Sequence, residues 1–216
     1  MSDKTIEPKP SVLGMIGSPT EQFERIKKRP AIWIAMILVM VVSAISTWLI
    51  AMGVETPEIE GIPADEAAAF NAFGQAMALI GGLIGPLFSV LIASAIYMLI
   101  AKIAQSQVSF KQLFSMHTYI AVIGALGSLL NGIIIAVVGG APGIMYTSLG
   151  SLIGTEGSAM LSGIEVFSIW QVILTAIGLQ VVARFSKVLA WAIPLAFFVL
   201  GLLFSIISAG LAGMGM

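Results

Sequence analysis

The sequence predicts an all-α integral membrane protein: five transmembrane helices with a cytoplasmic interfacial N-terminal helix. Three observations lead there. Of 216 residues, 58% are hydrophobic and 10% are charged, and mean hydropathy is +1.05. A soluble domain needs about 25% charged residues to solvate its surface, so no water-facing shell can be built here. Second, the stretches 31–53, 79–101, 116–139, 166–183 and 188–209 contain no Asp, Glu, Lys or Arg. Each approaches the roughly 20 residues that cross about 30 Å of hydrocarbon as a helix. They are continuous apolar runs, not the alternating strands of a barrel. Third, Lys4, Lys9, Arg25, Lys27, Lys28, Arg29, Lys102, Lys111, Arg184 and Lys187 all fall on one side of those spans. The positive-inside rule makes that side cytoplasmic, which puts the N-terminus inside and the C-terminus outside.

In chain order, residues 1–17 mix Pro8, Pro10, Gly14 and Gly17 with scattered charge and read as a flexible cytoplasmic arm. The membrane domain is expected over 18–209. Ser18-Pro19-Thr20-Glu21 starts a helix, with Ser18 as cap, Pro19 in the first turn and Glu21 closing a capping box. Phe23 and Ile26 share a face, and Pro30 ends the helix before span one. Lying along the interface, its basic residues would each gain roughly 1 kcal/mol near anionic headgroups. A membrane anchor is the expected role, and Phe23 and Ile26 are candidates for docking a partner. Span one is too long for a signal peptide and lacks a cleavage site before Glu55, so it is expected to be retained.

The first outer loop, 54–78, carries Glu55, Glu58, Glu60, Asp65 and Glu66. It lacks EF-hand spacing and reads as a solvated acidic loop. Pro63-Ala64-Asp65-Glu66 opens a helix bearing Phe70, Phe73 and Met77 that runs on toward span two. In lipid, helices associate where small residues let backbones approach. Span two offers Gly81, Gly85, Ser89 and Ala93; span three offers Gly124, Ser128, Gly132, Ala136 and Gly140; span five offers Gly201, Ser205, Ala209 and Gly213. Packing within one subunit is the expected use of these rows, and an interface between subunits is the alternative. Pro86 and Pro194 are expected to kink spans two and five.

Ahead of span three, Ser109-Phe110-Lys111-Gln112 forms a second capping pattern, and Phe110 and Phe114 make a second pair of docking candidates. His117, the one histidine, reads as an interfacial polar anchor. Asn131 in span three is expected to hydrogen-bond a neighbouring helix, and Gln171 and Gln180 add amides in span four. The second outer loop, about 140–163, is Gly-rich yet apolar, so it packs at the interface or re-enters the membrane. Residues 210–216 are a short extracytoplasmic tail.

Chemistry finds few footholds. The chain has no cysteine, no His-Glu-x-x-His, no Gly-x-Ser-x-Gly, no Walker sequence and no intramembrane Glu-Glu-x-x-x-Arg. A net charge of -1 with no basic face excludes nucleic acid. The expectation is a protein that is no enzyme and has no cofactor and no metal.

The arrangement of Pro19, Phe23, Ile26 and Pro30 ahead of span one, the stretch Ser109-Phe110-Lys111-Gln112-Leu113, and the following Tyr119 resembles the Yip domain family of Ypt/Rab-interacting membrane proteins, in its bacterial branch. The likeness covers about 18–209. Members often carry a proline soon after that tyrosine, where this chain reads Tyr119-Ile120-Ala121-Val122. The Asp-Leu-Tyr-Gly-Pro segment of eukaryotic members is absent, so Rab-type GTPase binding does not carry over. The resemblance implies a five-helix, non-catalytic protein working through partners, and some bacterial relatives accompany ABC exporters. The expected function is a scaffold or accessory subunit in the plasma membrane, held in the lipid bilayer beside a membrane-protein partner such as an ABC transporter, or self-associated. The alternative is a small transporter or substrate-capture subunit for a neutral or apolar solute, with Asn131 and Gln171 lining its cavity.

Overall fold

The computed structural model describes residues 8–54, 63–141, 143–155 and 159–214, and all architecture below refers to these. Among them the regular elements are all helical: α1 (Gly14–Gly17), α2 (Pro19–Lys28), α3 (Trp33–Gly53), α4 (Ala64–Ile103), α5 (Phe110–Val138), α6 (Leu149–Leu152), α7 (Ala159–Ser162), α8 (Val166–Val181) and α9 (Lys187–Met214). The remaining pairings are two isolated bridges, Val54 with Gly140 and Ser148 with Glu165. Four helices, α3, α4, α5 and α9, are long and apolar enough to cross a membrane. At about 1.5 Å per residue the 16 residues of α8 rise about 24 Å, less than the full hydrocarbon thickness. By the same rule the 40 residues of α4 extend about 60 Å, so the outer-loop helix and span two are one element. Helical geometry continues through Pro86 and Pro194. Pro86 has no N–H to give the Gly82 carbonyl one turn back.

The chain divides into two compact units, one from 1–39, 87–123 and 170–198, the other from 40–86, 124–169 and 199–216. Every described Lys and Arg belongs to the first unit, and the second contains none. The core of the first unit is built from Met15, Phe23, Ile26, Met36, Leu113, Met116, Ile123, Leu174 and Leu179, all essentially inaccessible to solvent. In the second unit α3 meets α4 at Gly82, where an added Cβ would fall 2.6 Å from the Ser43 carbonyl oxygen and 2.8 Å from Ala44 Cα. Beside that contact the Thr47 hydroxyl donates to the Ala78 carbonyl (2.7 Å). On α5, Gly132 comes against Ser46 and Leu49 of α3, and Gly127 accommodates the ring of Phe167.

Several expectations change here. Residues 8–17 do not form a free arm: Met15 is fully buried and α1 adds a helical turn. Residues 1–7, with Lys4, and 55–62, with Glu55, Glu58 and Glu60, lie outside the described residues. Ser18 makes no side-chain cap on α2 and its hydroxyl donates back to the Gly14 carbonyl (3.3 Å), while Glu21 pairs with Arg25. The competing i,i+4 ion pair takes the carboxylate that the capping box needed. The segment after α5, expected to pack at the interface or re-enter the membrane, forms two one-turn helices, α6 and α7. At the C-terminus, the helical backbone of α9 replaces the expected tail as far as Met214.

Candidate functional site

The most constructed region of the molecule lies in the first unit, where the N-terminal segment is seated on the start of α5. Helix α2 turns Gln22, Phe23 and Ile26 inward and leaves Thr20, Glu21, Glu24 and Lys28 outside. Phe23 reaches Gly178 of α8, where an added Cβ would lie 3.2 Å from the ring and 2.7 Å from Met116 Sδ. Glycine at 178 is thus what makes room for both side chains. Gln22 holds the segment before it: its Oε1 accepts from the Ser11 N–H (2.8 Å).

Three side chains of α5 then bind backbone carbonyls of the N-terminal segment. Gln112 Nε2 donates to Lys27 (2.7 Å), the Ser115 hydroxyl to Ala31 (2.7 Å) and the Tyr119 hydroxyl to Pro10 (3.0 Å). The Lys27 carbonyl belongs to the last turn of α2, and those of Pro10 and Ala31 lie outside the helices, so none has an intrahelical donor to satisfy it. Gln112 also completes a reciprocal cap, accepting from the Ser109 N–H (2.8 Å) while the Ser109 hydroxyl accepts from the Gln112 N–H (3.3 Å). Residues 109–119 therefore both start α5 and hold down residues 10–31.

His117 is buried, not interfacial. Its Nδ1 lies 3.0 Å from the Leu113 carbonyl and 3.3 Å from the Ser94 hydroxyl, and its ring packs on Tyr97 with centroids 4.6 Å apart. Because Ser94 donates its proton to the Val90 carbonyl (2.6 Å), both neighbours of Nδ1 act as acceptors. That assigns the Nδ1–H tautomer and leaves Nε2 as a buried lone pair without a hydrogen-bond partner. One polar edge is satisfied and the other is not, so a headgroup-anchoring role is excluded by burial.

A second polar cluster lies in the second unit. Asn131, 1% exposed, donates through Nδ2 to the Gly127 carbonyl (3.0 Å) and the Thr147 hydroxyl (2.6 Å), and its Oδ1 accepts from the Thr147 N–H (3.1 Å). A backbone N–H can only donate, so the amide orientation is fixed. Thr147 passes its own proton to Glu165 Oε1, and Glu165 Oε2 caps α8 by accepting from the Ser168 N–H (2.8 Å). The connection between α5 and α8 is thereby pinned at Thr147. Both amide protons of Asn131 are used within the chain. Gln171 is half-buried; its backbone carbonyl accepts from Thr175 (2.7 Å).

The other sequence-derived candidates are distributed as follows. Phe23 and Ile26 are fully enclosed by the chain, and Phe114 is nearly so; of the four docking candidates Phe110, 39% exposed, is the one on the surface. An amphipathic face must be covered, and here α5 and α8 cover it. Around Gly81, Gly85 and Gly201 no atom of the described residues beyond the local helix backbone lies within 4 Å of an added Cβ; Ser89 is exposed and Ala93 and Ser205 are half-buried. Gly124 and Ser128 are half-buried, and Gly132 lies at the α3 contact described above. The surroundings of Ala209 and Gly213 are not among those described. Sequence reasoning missed Gly82, Gly127 and Gly178; the Gly81-Gly82 pair was the available signal for the first of them. Among the described residues, no three His, Cys, Asp or Glu are grouped to hold a metal ion.

Four long apolar helices among the described residues define a multi-pass helical membrane protein. The family model of the Yip1 domain matches residues 13–209, and the chain belongs to that family. It is 31% identical over 212 residues to "Membrane protein YknW" of Bacillus subtilis (strain 168), covering 94% of this chain and 92% of that protein. No solved structure matches.

Proposed function

We propose that this protein is a non-catalytic scaffold or accessory subunit of a membrane complex in the plasma membrane, crossing it five times with its N-terminus in the cytoplasm. One observation carries the reading. On α4, Gly82 is locked against α3, while an added Cβ at Gly81 or Gly85, one step round the same helix, would meet no atom of the described residues within 4 Å beyond its local helix backbone. A row of small residues open on a helix surface suits close approach by a second helix. The partner is a membrane protein, either an exporter subunit of the ABC class, as the family resemblance suggests, or another copy of this chain. The short α8 serves as the fourth span, with Arg184 and Lys187 at its basic end. The transporter alternative is weakened, because Asn131 has no amide proton left for a solute.

Replacing Gly81→Leu and Gly85→Leu tests this reading in purified, detergent-solubilised protein. Loss of the co-purifying subunit or of the oligomer with an unchanged thermal midpoint is the expected result. Unchanged association would remove the row from the interface.

A further inference from the structure

Beside the seated N-terminal segment, a cavity of about 430 Å³ opens in the first unit. This falls within the ~300–1,000 Å³ range of small-ligand sites. Lys9, Arg29 and Lys111 line one part of it, Trp33 and Ile34 another, and the Tyr119–Pro10 hydrogen bond crosses its wall. Among the described residues, no Asp or Glu lines it.

We infer that this cavity binds the headgroup of an anionic phospholipid. The three cations come from separated points in the chain: the strap before α1, the end of α2 and the first turn of α5. They converge on one space only because Gln112, Ser115 and Tyr119 hold the N-terminal segment in place. A phosphate diester is an anion whose oxygens accept from several ammonium and guanidinium donors at once. The other wall selects the source of that phosphate. Trp33 and Ile34 are 72% and 77% exposed on the first turn of a membrane-crossing helix, where tryptophan prefers the hydrocarbon–headgroup boundary. Acyl chains leaving the cavity would run along this surface, which offers nothing to a soluble phosphate ester. This ligand is independent of the partner proposed above: the lipid site belongs to the first unit, and the Gly81–Gly85 row to the second.

The test uses the full chain in nanodiscs of phosphatidylcholine with a minor fraction of phosphatidylglycerol, and counts lipids retained on the protein by native mass spectrometry. The expected result is phosphatidylglycerol enriched about tenfold or more over its bulk fraction. Lys9→Gln, Arg29→Gln and Lys111→Gln together should return retention to the bulk ratio. A control with Lys102→Gln and Lys187→Gln, exposed cations outside the cavity, should keep the enrichment. No enrichment on the unmodified protein would overturn the inference without any variant being needed. So would equal losses in both variants, which would mean a diffuse surface charge. Excess glycerol phosphate is the last arm: raising the thermal midpoint as much as phosphatidylglycerol does would assign the cavity to a soluble ester and overturn the lipid reading. No shift supports the lipid.

Discussion

At the scale of single residues, adjacent positions on α4 behave differently for reasons of geometry. Successive helical residues point about 100° apart, so Gly81 and Gly82 cannot share a contact. Gly82→Ala should destabilise the protein by about 1–3 kcal/mol, because its Cβ would press on the backbone of Ser43 and Ala44, which cannot rotate away. Gly81→Ala should leave stability unchanged or raise it by up to about 1 kcal/mol, since the space is open and alanine favours helix. Thermal unfolding in detergent reads both. A spacing-of-four rule finds rows of small residues in a sequence, and Gly81–Gly85 is such a row. Nothing in the spacing says which face another helix of the same chain will cover. Asn131 was legible as a hydrogen-bonding residue in an apolar span, but its partner Thr147 was not, because the loop between them has no periodicity to read. Asn131→Leu should cost about 2 kcal/mol by orphaning the Thr147 N–H. A double-mutant cycle with Thr147→Val should show coupling of about 1 kcal/mol, and strict additivity would break the assigned pair.

The elements begin and end for identifiable reasons. After α4, the Ser106 N–H bonds to Ala101 (2.9 Å) and the Gln105 N–H to Lys102 (3.1 Å), the two bonds of a Schellman ending. That ending places Gln105 at φ 56°, and Arg184 adopts the same φ after α8. Side chains are strained in this region, so Gln105→Gly and Arg184→Gly should each stabilise the protein by about 1 kcal/mol, seen as a higher thermal midpoint. A fall in the midpoint would mean that the Gln105 or Arg184 side chain contributes more than its backbone costs. The cap at Ser109–Gln112 could be read in advance because both its partners lie three residues apart. The seating of residues 10–31 could not, since its bonds join residues 84 to 109 positions apart. Composition at 8–17 signals a mobile arm, and Tyr119 overrides it. Tyr119→Phe should therefore speed amide exchange over residues 11–16 while leaving the middle of α5 protected.

Across the whole chain, the one-sided distribution of Lys and Arg was the most readable property. In the structure, all the described cations fall in one compact unit. Charge placement acts at long range and depends only on the order of spans, so it survives errors about individual contacts. Because the sequence has no cysteine, single probes can report orientation. Ser186→Cys should resist a membrane-impermeant maleimide in intact cells, and Thr155→Cys should react; the reverse pattern would invert the proposed topology. The central claim is that the protein works through a partner held at a helix surface. Its most direct test is the native mass of the tagged protein purified in mild detergent, with identification of what accompanies it. The account predicts either a stoichiometric second membrane protein or a multiple of 22.6 kDa, abolished by Gly81→Leu with Gly85→Leu. Recovery of the unmodified protein alone, at a single 22.6 kDa mass, would contradict it.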